Sequence, residues 1–144
     1  MSDKFPADLI HVYFTRTNVE AIPTYVADEG SMAQLAPENK INVQRVEDSD
    51  NNYVVVMQAL LNPLKEATGP YMVDIECVAL LYVDPALSAE EALKVATITG
   101  HSVAYGAIRE SVLWITGRHP HGPLTLGLSV LASKKPEEAV QPKV

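Results

Sequence analysis

Apolar and polar residues alternate over four stretches of the first part of the chain, and this period of two predicts four β-strands. The predicted strands lie at Leu9 to Asn18, Ile41 to Val46, Tyr53 to Leu61 and Tyr71 to Val83. The second and third flank the polar run 47–52, whose side chains favour turns, so these two strands form a predicted hairpin. Hairpin-linked strands favour an antiparallel sheet.

The first and fourth predicted strands each present two faces. In the first strand, simple alternation places Ile10, Val12 and Phe14 opposite Leu9, His11 and Tyr13. In the fourth, one face is almost wholly apolar and should pack on the core. Its residues are Tyr71, Val73, Ile75, Cys77, Ala79, Leu81 and Val83.

The other face of the fourth predicted strand changes character along its length. It begins with Met72, Asp74 and Glu76, and it continues with Val78, Leu80 and Tyr82. Its first half is therefore acidic, while its second half is apolar on the less buried side of the sheet. Such an exposed apolar surface indicates a protein partner.

The pattern changes to a helical one after residue 87. Ser88 and Glu91 match a capping box, so a helix starts here. We expect an interruption near Gly100 and an end at Gly117, because glycine disfavours helix interiors and favours helix ends. Leu124 to Ser129 alternates again and predicts an extended segment.

These elements predict an α+β fold in which a four-stranded antiparallel sheet carries a long helix on one face. Residues 1–144 form one predicted domain with its core over about 9–130 and a mobile tail over 134–144. One helix cannot cover such a sheet, so we expect the remaining apolar surface to be buried by self-association.

Composition narrows the possible partners and compartment. The chain is 47% hydrophobic and 20% charged, its net charge is -7, and it has one cysteine. An acidic protein is a poor match for nucleic-acid phosphates, so a basic polypeptide is the more natural partner. No apolar run is long enough to span a membrane, the N-terminus has no signal-peptide pattern and no internal disulfide can form, so we expect a cytoplasmic protein.

Candidate catalytic groups are few, and a structural interpretation is favoured for each. His119 and His121 lie in a proline-rich turn, Cys77 lies on the apolar strand face, and Asp74 with Glu76 fits a solvated face. We therefore predict neither a metal nor a cofactor. One enzymatic alternative remains, a small site around His101, Tyr105 and Glu110.

Several short motifs follow the predicted elements in a recognisable order. A bend from Thr15 to Pro23 ends the first strand, the helix carries Arg109-Glu110, and Gly117-Arg118 leads into Pro123-Leu124-Thr125-Leu126. With the strand order, these motifs resemble the SecB family of protein-export chaperones over roughly residues 9–130. The resemblance implies a homotetramer built as a dimer of dimers, with apolar grooves for unfolded preproteins and an acidic sheet surface for the motor SecA.

The resemblance also implies roles for individual residues. Glu20, Met72, Asp74 and Glu76 fall on the surface that would dock SecA. Client binding or subunit contact would involve the connection from Val26 to Leu35, apolar residues of the fourth strand and apolar residues of the helix. These strand and helix residues are Val78, Leu80, Tyr82, Tyr105, Ile108 and Val112.

The chain departs from the family pattern in three places. Thr17 or Asn18 replaces a second acid of the docking surface, and Ala107-Ile108 stands where the family has tyrosine and alanine. The family's C-terminal helix is shortened or missing after Leu126.

The function that the resemblance implies is that of an ATP-independent holdase, which keeps unfolded preproteins competent for export through the Sec translocase. A broad apolar surface with an acidic rim suits many unfolded clients better than a defined pocket would. The alternative is a SecB-like chaperone dedicated to a single partner, in an antitoxin or phage-encoded role. Neither function requires a cofactor.

Overall fold

The fold was taken from a computed structural model that describes residues 5–26, 35–49, 51–129 and 131. It contains four strands, β1 (Ala7–Ala21), β2 (Glu38–Arg45), β3 (Asn52–Leu61) and β4 (Tyr71–Val83), followed by one long helix, α1 (Ala89–Thr116). The strands form one antiparallel sheet in the order β1-β4-β3-β2. The predicted α+β class and the sequence of elements are confirmed.

Strand β4 lies between β1 and β3, and its apolar face forms the floor of the core. All seven residues predicted for that face are at most 1% exposed, from Tyr71 to Val83. Alternate residues of β3, including Val55 and Met57, continue this buried surface. We call it the inner face of the sheet, because α1 packs against it.

Strand β1 does not follow the simple alternation predicted for it. Its pairing with β4 shifts between Leu9 and His11 and again between Phe14 and Arg16. At each shift one residue of β1 has no partner on β4. Such a β-bulge changes which side chains lie on the same face of the strand. As a result Leu9 lies on the inner face with Val12 and Phe14, so the prediction was wrong for the start of the strand. His11 and Tyr13 lie together on the other face, as predicted.

Helix α1 begins where the sequence predicts. Ser88 Oγ accepts a hydrogen bond from Glu91 N at 3.1 Å, and Glu91 Oε1 accepts one from Ser88 N at 3.2 Å. This capping box satisfies two of the amide groups that a helix start leaves unpaired. The helix ends before Gly117, as expected.

The expected interruption at Gly100 is not found, because α1 runs unbroken through it. The residues that face the sheet recur at every fourth position. They are small in the first half of the helix and larger afterwards: Ala92, Ala96, Gly100, Ala104, Ile108, Val112 and Thr116. A Cβ at Gly100 would lie 2.3 Å from Cγ2 of Val55, so this glycine lets the helix backbone approach the sheet closely.

After α1 the chain returns along the helix in an extended conformation. Leu124 and Leu126 are buried in the core, and Leu126 pairs in parallel with Leu35. We call residues 124–129 the strap. It confirms the extended segment predicted there, and the described part of the chain beyond Gly117 contains no second helix.

Two predictions fall on regions that the structure does not describe. The tail predicted over 134–144 lies outside the described residues, as does most of the connection from Val26 to Leu35. Within the described ranges, no helix combines the length and the apolarity that a membrane crossing requires.

Replacing Gly100 with alanine should destabilise the protein by about 1–3 kcal/mol, because the added methyl group overlaps Val55. Denaturant unfolding would measure this change. Gly106→Ala in the same helix is the matched control. A Cβ there meets nothing within 4 Å, so this variant should be neutral or gain up to about 1 kcal/mol.

The cause of that loss can be isolated with a double-mutant cycle. If overlap with Val55 is the reason, Gly100→Ala should cost much less in a Val55→Ala background. Equal costs in the two backgrounds would contradict this explanation.

Candidate functional site

The outer face of the sheet carries all four residues predicted to dock a motor protein. Glu20 lies opposite Met72 across the β1–β4 pair, and Asp74 and Glu76 follow along the same face of β4. Met72 is 5% exposed, so it is largely covered by its neighbours. The structure therefore brings the four residues together, with the acids forming the accessible part.

Each of the three acids is engaged within the chain. Arg16 Nη2 forms an ion pair with Asp74 Oδ1 at 3.0 Å, and Gln58 Nε2 donates to the same oxygen at 3.0 Å. These contacts, the Gln58 hydrogen bond first, lower the pKa of Asp74. Thr15 donates to Glu76 at 2.6 Å, and Lys65 lies 2.8 Å from Glu20. Each carboxylate of the acidic half therefore already has a hydrogen-bond or ion-pair partner within the chain.

The apolar half of the outer face contains Val78, Leu80 and Tyr82, as predicted. Tyr82 is 41% exposed, Leu80 is half-buried and Val78 is 5% exposed. Their cross-strand neighbours add further apolar area, because Tyr13 and Val56 flank Val78 on either side. This half is accessible mainly through its two tyrosines, Tyr82 and Tyr13, which is 42% exposed.

The helix residues predicted to contact clients or subunits occupy a different place. Tyr105, Ile108 and Val112 are 4%, 0% and 0% exposed and pack between the helix and the sheet. This corrects their predicted position on the surface, since the four-residue spacing that drew attention to them marks the core side of the helix. The exposed apolar side chains of α1 are others: Leu93, Ile98, Leu113 and Trp114.

An apolar groove between β1 and the flank of α1 was missed by the sequence analysis. It has a volume of about 510 Å³, and Phe14 of β1 and Trp114 of the helix lie on its two walls. Arg118 stacks over Trp114 at 5.3 Å from the ring centroid. The sequence signal was the pair Leu113-Trp114, which is apolar but lies outside the core row of the helix.

The strap is held by a row of polar side chains on α1. His101 Nε2 lies 3.0 Å from Ser129 Oγ, Tyr105 OH donates to the carbonyl oxygen of Gly127 at 2.5 Å, and Arg109 Nε donates to that of Leu126 at 3.0 Å. Two of these three contacts are to main-chain carbonyl groups. Arg109 therefore joins the helix to the strap.

The structure brings together two of the three residues of the enzymatic alternative, because the rings of His101 and Tyr105 stack with their centroids 6.0 Å apart. His101 and Tyr105 face the strap, where their polar atoms have the partners just described. Glu110 instead lies in the groove beside β1. Cys77 is fully buried, and burial raises the pKa of its thiol to about 11, so the thiol stays protonated at neutral pH.

The two histidines of the turn after α1 bind main-chain groups. His119 Nδ1 lies 2.8 Å from the carbonyl oxygen of Ile115, and His121 Nε2 lies 2.8 Å from that of Ile22. Both rings also pack edge-on against Tyr71. In residues 5–26, 35–49, 51–129 and 131, no group of three or more His, Cys, Asp or Glu side chains is arranged to hold a metal ion.

Comparison with solved structures identifies the fold. The chain aligns with the Mycobacterium tuberculosis SecB-like chaperone Rv1957, in complex with a ChAD peptide from the antitoxin HigA1 (Rv1956), at a TM-score of 0.64 and 23% identity. The alignment covers 86% of this chain and 91% of the other. The fold is SecB-like.

A second solved structure is similar to this chain at a lower level. It is a protein of unknown function from Streptococcus agalactiae, with a TM-score of 0.54, 10% identity, and coverage of 85% of this chain and 97% of the other. No protein-family model matches the chain, and no curated protein sequence matches it significantly. The likeness is thus one of structure rather than of sequence.

Stability should depend on pH through His101, because burial lowers its pKa below the ordinary 6.5. Well above pH 6.5 the ring is neutral in both the folded and the unfolded states. As the pH falls below 6.5, the unfolded chain binds a proton that the folded chain resists, so the free energy of unfolding should decrease. The loss should level off below the folded pKa.

Denaturant unfolding at pH 7.5 and 5.5 would measure this effect, with His101→Gln as the control that keeps His11, His119 and His121. The variant should lose less stability than the natural protein over this interval. The same loss in both proteins would show that His101 does not contribute.

Proposed function

We propose that this chain is an ATP-independent holdase that binds an unfolded polypeptide and serves one dedicated partner, such as an antitoxin, rather than general export. The observation that carries the proposal is the SecB-like fold shared with a chaperone solved in complex with an antitoxin peptide. The pattern of exposed apolar surface on this chain supports a polypeptide ligand.

The outer face of the sheet favours the dedicated role over export. A motor that docks on acids needs them accessible and uncompensated, whereas Asp74 is held by Arg16 and Gln58, and Glu20 is paired with Lys65. Asn18, which lies opposite Asp74 on the same face, also carries no charge where the SecB resemblance expects an acid. Together these features weaken the case for a SecA-docking surface.

Holdase activity fits the chemistry of the exposed surfaces. The tyrosines of the outer face, Tyr13 and Tyr82, offer apolar contact on an open surface. Open sites of this kind accept side chains of different shape, which suits an unfolded ligand. Binding would be passive and would need no nucleotide or metal, and the single buried thiol is compatible with a cytoplasmic location.

The proposal includes a homotetramer formed as a dimer of dimers. On the inner face of β1, Leu9 is 47% exposed and Phe14 is 38% exposed, because α1 packs mainly on β4 and β3. Trp114 and Leu113 on the adjacent flank of the helix are also exposed. A second copy that packs on the edge of β1 and on this flank would bury both sets of side chains.

The function is tested by the response to one client in two states. Size-exclusion chromatography with light scattering would measure the molar mass of the protein alone, of its mixture with reduced, carboxymethylated α-lactalbumin, and of its mixture with native α-lactalbumin. We expect a tetramer that binds the unfolded form and not the native form. A protein that binds neither form would overturn the holdase proposal.

Dedication to one partner is a separate question, which a labelled array of peptides that cover antitoxin sequences would address. One peptide should bind at least about tenfold more tightly than the others, a difference of about 1.4 kcal/mol. Purified SecA should bind weakly or not at all. Equal binding of all peptides together with tight binding of SecA would favour general export instead.

Substitution of Trp114 with aspartate should dissociate the tetramer, because it places a charge in an apolar contact between copies. Light scattering would report the mass. Leu64→Asp is the matched control, since Leu64 is 79% exposed in the connection between β3 and β4, away from the groove. A Trp114→Asp variant that stays tetrameric would place the subunit contact elsewhere.

A further inference from the structure

The edge of β2 that faces away from β3 is a second exposed edge of the sheet. In the strand order β1-β4-β3-β2, β2 pairs with β3 and has no further strand beside it within the part of the chain that the structure describes. Such an edge presents a row of main-chain N–H and C=O groups that can pair with another extended chain. The natural ligand for this row is a polypeptide backbone.

Strand β2 has a more regular edge than β1. Its register with β3 runs without a shift from Glu38 opposite Leu60 to Arg45 opposite Tyr53. Strand β1 has two bulges, which twist an edge and interrupt its main-chain groups. The regular spacing on β2 is the one that an added strand requires.

An extended segment already lies at the start of β2. Leu35, just before the strand, pairs in parallel with Leu126 of the strap, and Gly127 N donates to the carbonyl oxygen of Leu35 at 3.0 Å. Asn39 Nδ2 then donates to Ser129 Oγ at 3.0 Å. The molecule therefore binds one extended segment through main-chain contacts where β2 begins.

We propose that the outer edge of β2 binds an extended segment of the client polypeptide by adding it to the sheet as a fifth strand. This inference rests on the proposed holdase function and deepens it by naming the binding mode. Main-chain hydrogen bonds would supply affinity for the segment, and contacts with its alternate side chains would supply the preference for one partner.

The surroundings of β2 suit side chains of varied chemistry. On the outer face, Lys40, Asn42 and Gln44 border a shallow depression of about 470 Å³ whose floor includes Val56 and Glu76. Toward the helix, Ile41 and Val43 are half-buried against the core. Alternate side chains of an added strand would thus meet a polar rim on one side and an apolar rim on the other.

The same surroundings favour a client over a second copy of the chain. Large apolar side chains that are strongly exposed occur on β1, β4 and α1, but none of those described lies on β2. Permanent subunit contacts need such apolar area, whereas a reversible contact can rely on main-chain hydrogen bonds. The two sheet edges would then serve different purposes, β1 for assembly and β2 for the client.

Hydrogen exchange measured by mass spectrometry would test this assignment on the full chain. With reduced, carboxymethylated α-lactalbumin bound, those amides of residues 38–45 that point away from β3 should exchange about tenfold or more slowly than in the free protein. Amides of β1 should change little, because the assembly contact is present in both samples. Bound client without added protection on β2 would overturn the inference and leave the holdase proposal intact.

A matched pair of peptides would show whether the contact uses the main chain. The probe is the ten-residue peptide that binds most tightly in a scan of the same client, made in two forms with N-methyl groups on alternate residues. An added strand uses one edge, so one form should lose at least about tenfold in affinity and the other should keep most of it.

Similar affinities for the two methylated forms would mean that side chains carry the binding, and the inference would be wrong. Failure of every client and peptide to bind would instead reject the holdase function. The two failures are therefore distinguishable.

Discussion

The close approach of α1 to the sheet at Gly100 is the constraint on which the rest of the structure depends. Val55 lies where a side chain at position 100 would have to be, so the helix can lie this low only because that position has none. Ala92, Ala96 and Ala104 keep the neighbouring turns low as well. The helix is thereby fixed over β3 and β4. Its position in turn determines where the strap and the groove beside β1 lie.

Fixing the helix over β3 and β4 leaves the two sides of the inner face unequally covered. On the side of β2, the strap fills the space next to the helix and buries Leu124 and Leu126. On the side of β1, Phe14 and Trp114 remain accessible across a groove. The surface proposed for assembly is thus a consequence of where one helix can pack.

The sequence predicts what depends on local pattern. The bounds of strand β4 and all residues of its buried face were predicted correctly, because seven apolar residues at alternate positions indicate a strand with one buried face. The capping box at Ser88 could likewise be predicted from four consecutive residues. What failed depended on distant partners: the bulges of β1 arise in its pairing with β4, and Gly100 is understood only beside Val55. The exposure of Trp114 follows from which strands the helix leaves uncovered.

The residues on the buried side of α1 change from alanine and glycine to Ile108 and Val112 over its length. The layer of side chains between the helix and the sheet is therefore thin over Val55 and thicker in the second half of the helix, which lies between the strap and the groove. Ile108 and Val112 are fully buried against the sheet, so a change of volume at either would alter the distance between this half of the helix and the sheet. The strap on one side of the helix and the wall of the groove on the other would then shift together.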